Sequence, residues 1–206
     1  MKGAWEKRPG SAPETAALSL KIPFNEPTVL QRLSQKLEHY LEALSPERRI
    51  VIVCVGTDRS TGDSLGPLVG TALSREYNPL FDLYGTLEEP VHAMNLGDTL
   101  LTIMRSSRHP FVIAVDACLG QVSSVGCIQL GSGPVRPGAG VNKELPPVGD
   151  IHMTGIVNVG GFMEYFVLQN TRLNLVVKMS EIIAQSLLNA VHTTRSSSVI
   201  PFALPD

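Results

Sequence analysis

The chain has 206 residues, 43% of them hydrophobic and 17% charged, with a formal net charge of −2. That length and apolar content suit one domain with a sizeable core, and the near-neutral balance excludes the basic field of a nucleic-acid binder. No apolar run reaches the roughly 20 residues that span a bilayer.

The first 26 residues are rich in Pro, Ala, Ser and Glu and are expected to form a flexible N-terminal arm. They lack the apolar stretch of a secretory signal. A helix is predicted from Pro27, because Leu30, Leu33, Leu37, Leu41 and Leu44 recur at spacings of three or four. Ser45-Pro46 ends it, since the residue before a proline avoids helical dihedrals. Arg49 to Gly56, RIVIVCVG, is a continuous apolar run of the kind covered on both faces in a parallel sheet. A second helix is predicted over about Ser64 to Glu76, with Asp63 or Ser64 available as its N-cap. Leu80 to Gly85 reads as a short strand and Asn95 to Ser106 as a helix.

Pro110 to Gly120, PFVIAVDACLG, repeats the pattern of the first strand, with Asp116 at its end. Val125 to Gly133 reads as a further strand, and the Gly- and Pro-rich residues 133–149 as a loop. Residues 150–155, DIHMTG, read as a short strand end. Helices are predicted over Gly160 to Asn170 and Leu173 to Val191, and a loose tail over residues 194–206. Strands alternating with helices predict one α/β domain over residues 27–193: a three-layer α/β/α sandwich around a mostly parallel sheet. In such sheets function sits at the carboxyl ends of the strands. Cys54, Cys118 and Cys127 form no C-x-x-C pair, so neither a disulfide framework nor a zinc knuckle is indicated. A soluble protein of a reducing compartment, the cytoplasm, is expected.

The turn VCVGTDRSTGDSLGPLVG, Val53 to Gly70, admits three chemistries. A phosphate loop needs G-x-x-x-x-G-K-[ST], and Asp63 occupies the lysine position. A nucleophile elbow needs G-x-S-x-G, which Gly62 to Gly66 matches, but Ser64 lies far beyond the strand end. The third possibility is a carboxylate site. Asp63 follows one strand and Asp116 ends another, so both fall at one sheet edge, where close carboxylates split their pKa values and activate a water. His152 would complete a set of two carboxylates and one histidine, which suits a divalent metal such as zinc or nickel. Asp58 and Arg59 are candidates to orient the site. Arg136 and Lys143 are candidates to hold an anion or a peptide carboxylate.

The long segments VCVGTDRSTGDSLGPLVG, VIAVDACLG, PVRPGAGVNKELPPVGDIHMTG and VGGFMEYFVLQNTRL resemble the YyaC-type family of sporulation proteins, in order from about Ile50 to Val191. The resemblance implies a peptidase of sporulation or spore germination, acting on a peptide or protein substrate such as a spore protein. Germination protease has a similar turn, a similar strand-end aspartate and a glycine-rich loop like Pro137 to Val141. That likeness implies Asp63 and Asp116 as a catalytic pair. Hydrogenase maturation endopeptidases share the expected fold, and their metal site implies Asp63, Asp116 and His152 as ligands, with Thr154 and Gly155 beside the histidine. A non-catalytic protein that binds a spore component or metal in the same cleft is the alternative, and a hydrogenase-type maturation endopeptidase a second.

Overall fold

The computed structural model describes residues 19–75, 78–138 and 145–196. Six strands form one sheet in the order β1-β5-β6-β4-β2-β3. They are β1 (Leu20–Pro23), β2 (Ile50–Cys54), β3 (Phe81–Tyr84), β4 (Phe111–Gly120), β5 (Cys127–Ser132) and β6 (Ile151–Val159). β3, β2, β4 and β6 run parallel, while β5 pairs antiparallel with β6 and β1 antiparallel with β5. The helices are α1 (Val29–Glu42), α2 (Leu65–Leu73), α3 (Leu96–Ser106), α4 (Glu164–Gln169) and α5 (Leu173–Ser196).

The alternation along each central strand sorts the core into two layers. Ile50, Ile52, Cys54, Ile113 and Val115 pack with the apolar faces of α1, α2 and α5. Val51, Val53, Val112 and Ala114 pack on the opposite face with Leu96, Leu100 and Ile103 of α3. The architecture is therefore the expected α/β/α sandwich, with a mostly parallel central sheet. No helix among the described residues is long and apolar enough to cross a membrane.

Several boundaries differ from the sequence expectation. The arm expected to be flexible through residue 26 contains β1, because Ile22 is buried and Leu20–Pro23 complete the sheet edge against β5; residues 1–18 lie outside the described residues. The supposed strand end at 150–155 opens a nine-residue strand between β4 and β5. Its buried polar neighbour Asp150 anchors it: the carboxylate accepts the Val112 N–H at 2.7 Å and faces Arg48 at 3.6 Å. The helix expected over Gly160 to Asn170 shortens to Glu164–Gln169, entered through Met163 in a left-handed conformation (φ 53°). α5 continues past residue 193 to Ser196, and residues 197–206 lie outside the described residues.

One close approach sets α2 on the end of β2. A Cβ at Gly66 would stand 2.1 Å from the Val55 carbonyl oxygen, deep inside contact distance. Alanine normally favours a helix over glycine by about 1 kcal/mol, so the fold reverses the usual sign here. Gly66→Ala is expected to cost about 3 kcal/mol in urea unfolding, because α2 must shift off the strand; a stabilised variant would show that α2 does not pack this closely.

Candidate active site

β2 stops at Cys54, opposite Val115 of β4. The chain then turns at Gly56 (φ +149°), where a Cβ would stand 2.0 Å from the Asp63 carbonyl oxygen. The loop doubles back so that the Thr57 N–H donates to that same carbonyl at 3.1 Å. A single 3-10 turn, Gly62–Ser64, leads into α2. Asp63 is thus held by its own backbone at the carboxyl end of β2. Ser64 is buried and donates its hydroxyl to the Thr61 carbonyl at 2.7 Å, which suits neither a nucleophile nor the side-chain cap expected of it.

Asp116 stands one residue beyond the last β2–β4 pair, with Thr154 of β6 beside it in register. β4 does not end there, as its sequence suggested, but runs on to Gly120 against β6 alone. Asp116 is 9% exposed, and its Oδ1 accepts the following Ala117 N–H at 2.8 Å. Asp63 and Asp116 line one cleft of about 240 Å³. Arg59, Ser60, His92, Cys118 and Tyr165 share its walls with apolar residues such as Leu119, Leu145 and Leu168.

Burial disfavours the charged form of both carboxyls. It pushes Asp116 up to about 8, against the pull of the Ala117 N–H, and the Asp63 charge raises it further. Asp63 is also raised by burial, with the nearby Ser60 hydroxyl opposing. The Ser60 Oγ lies beside that carboxylate without meeting hydrogen-bond geometry, and it is buried with no other partner. Burial raises the Cys118 thiol too, against the Thr154 hydroxyl, so Cys118 is poorly suited as a nucleophile near neutral pH.

The sequence candidates divide. Asp63, Asp116 and Arg59 share the cleft. Asp58 is exposed and outside its lining, as is Arg136, although the adjacent Pro137 and Gly138 line it. Lys143 lies outside the described residues. Thr154 is buried behind the cleft wall, next to Asp116 and Cys118. His152 pairs in register with Ala114, two residues back along the sheet from Asp116. Its Nδ1 donates to the Gly133 carbonyl at 2.9 Å, its ring lies against Gly131, and it does not line the cleft. No three His, Cys, Asp or Glu groups among the described residues converge to hold a metal ion. The donor set therefore does not fit the three-ligand zinc or nickel site, because His152 is committed to the β5 end.

His92, which belongs to none of the motifs read from the sequence, lines the cleft. The Val55–Val91 bridge and the Asn95 side chain, which accepts the His92 N–H at 2.8 Å, fix it beside the end of β2. Neither contact has a periodic signature. Ser60 and Tyr165 carry no motif either.

The Asp116 shift has a stability consequence. Its folded pKa of about 8 lies above the ordinary 3.8, so between those values the folded chain holds a proton that the unfolded chain has lost. Stability then falls as pH rises through this window. Asp116→Asn removes the penalty. Its Tm is expected to exceed that of the unsubstituted chain by about 5 °C or more at pH 8.5, with the difference shrinking toward pH 4. A constant difference across that range in thermal scans would contradict the shift.

Residues 21–186 match the family described as "Protein of unknown function (DUF1256)". The chain is also 63% identical over 138 residues to the uncharacterized protein YyaC of Bacillus subtilis (strain 168), a match covering 67% of each chain. By the extent of the first match and the identity of the second, the chain belongs to the YyaC-type DUF1256 family.

Proposed function

We propose that the protein is a peptidase in which Asp63 and Asp116 activate a water against a peptide bond. The observation that carries this reading is the pairing of the two carboxyls in one cleft, with Asp116 raised to about 8 by burial and by the charge of Asp63. Near neutral pH such a pair shares one proton, and its titration belongs to both groups together. Asp63, the more exposed, is the base. It takes a proton from water as the oxygen attacks the scissile carbonyl, while the Asp116 carboxyl gives its proton to the carbonyl oxygen. Collapse of the tetrahedral diol breaks the C–N bond. Asp63 passes its proton to the departing amine, and Asp116 recovers one from the diol hydroxyl.

The substrate is a peptide or protein, a spore protein in the reading that the family resemblance gives, and the setting is the cytoplasm of a sporulating cell or spore. The free thiols Cys54, Cys118 and Cys127 support a reducing compartment. A hydrogenase-type maturation peptidase is disfavoured, because His152 faces Gly133 rather than the cleft.

Purified protein incubated with a pool of synthetic peptides, read by mass spectrometry, tests the proposal. Cleavage is expected to persist in chelator, to gain nothing from added zinc or nickel, and to fall about a thousandfold in Asp63→Asn or Asp116→Asn. Strict dependence on either metal would replace the two-carboxylate mechanism with a metal-assisted one. Peptide retention without turnover would instead favour a binding protein using the same cleft.

The rate should also decline as pH rises through about 8, where Asp116 loses the proton it must donate. A rate that climbs across that range would contradict the assignment of Asp116 as the acid.

A further inference from the structure

We infer that the cleft takes its polypeptide as an added β-strand, docked on the free edge of β4 from Ala117 to Gly120. The inference rests on the peptidase reading only for the purpose of the site; the edge itself is a property of the fold. β2 pairs with β4 no further than Val115, whereas β4 continues to Gly120 with β6 on one side alone. Odd-numbered residues of β4 turn their peptide groups toward β2: the Phe111 N–H donates to Arg49 O at 2.8 Å and Val115 O accepts the Val55 N–H at 2.7 Å. Even-numbered residues turn toward β6, with Val112 O accepting the Asp150 N–H at 2.7 Å and Gly120 O accepting the Gly160 N–H at 2.9 Å.

The register shifts between Cys118 and Leu119, but the extra residue there is Val157 of β6, so β4 keeps its alternation to Gly120, and the Ala117 C=O and both peptide groups of Leu119 face the side that β2 has vacated. The Ala117 N–H is already taken by Asp116 Oδ1. No strand among the described residues pairs with that side, and Ala117, Cys118 and Leu119 all line the cleft. Half-buried main-chain groups without partners cost free energy, and an extended peptide supplies the donors and acceptors that match them. A strand there runs roughly 4.8 Å from β4, which brings a peptide carbonyl alongside the Asp116 carboxyl.

The walls indicate what such a strand carries. Leu119 and Leu168 belong to the core layer on one face of the sheet, and Leu145 packs with the layer on the other. Successive side chains of a docked strand alternate between these faces, so apolar residues are favoured on both. Exposed Tyr165 extends the apolar wall at the cleft mouth. The ligand class is an extended, unfolded segment with apolar side chains.

The test uses the full chain carrying Asp63→Asn, which keeps the edge and lacks the proposed base. The probes are short unstructured peptides with consecutive apolar residues, and the same peptides N-methylated at every second backbone nitrogen, in both registers. Unmethylated peptides are expected to bind and to slow hydrogen exchange of the Leu119 amide roughly tenfold or more, and methylation in one register to weaken binding by a similar factor. Leu119→Pro removes the leucine side chain and an N–H that points away from β6, a loss an edge position tolerates, and should weaken binding more than Leu119→Ala, which removes the side chain alone. The peptide arm needs no folded variant at this position. Failure of every peptide to bind, indifference to methylation in both registers, or a Leu119 amide already protected in the free protein would overturn the inference. The last is the result expected if a second copy or the chain's own residues occupy the edge. Edge binding with no cleavage by the unsubstituted chain would sink the peptidase reading alone.

Discussion

The cost of burying the Asp116 carboxyl is the constraint around which this end of the molecule is arranged. A carboxylate at 9% exposure, with one backbone N–H and a second carboxyl in the same cleft, is kept protonated far above the ordinary range. An apolar or amide side chain would serve the core better. The fold tolerates the penalty because the rest of the sheet is saturated with apolar contacts: Val51 to Cys54 and Phe111 to Val115 are all essentially inaccessible. A strained electrostatic position on a rigid support is how folds tune a carboxyl toward acid–base chemistry.

The second carboxyl is delivered by main-chain geometry. Gly56 and Gly66 stand where any Cβ would collide with the backbone of Asp63 or Val55. The loop from Thr57 to Gly62 therefore folds back upon the end of β2 and leaves little freedom to the Asp63 carbonyl. The same early termination of β2 that admits this loop leaves one side of β4 without a partner strand beyond Val115 among the described residues, while β6 continues along the other. Carboxyl pair, cleft and open strand edge are consequences of a single event, the turn at Gly56.

Much of this was legible in the sequence, and the failures have physical reasons. The unbroken apolar runs at Ile50–Cys54 and Phe111–Val115 could only be central strands, and the leucine repeat of α1 only an amphipathic helix. The carboxylates of the cleft followed, because strand ends in parallel sheets collect polar groups. β6 was concealed by His152, Thr154, Gly155 and Asn158, which break the apolar pattern although the strand lies between two others. β1 was concealed by a short run in a proline-rich setting, recruited only by its partner β5. His152 lies outside the cleft because strand register, which sequence does not display, sets it two residues behind Asp116. His92 reached the cleft through a bridge and an asparagine contact that no periodicity announces.

The account depends on Asp63 and Asp116 titrating as a coupled pair. The most direct measurement is the pH titration of both carboxyl carbons by NMR on protein labelled with carbon-13 at aspartate. The account predicts an Asp116 midpoint near 8 that falls when Asp63 is replaced by asparagine. Two independent midpoints close to the ordinary aspartate value of about 4 would contradict it.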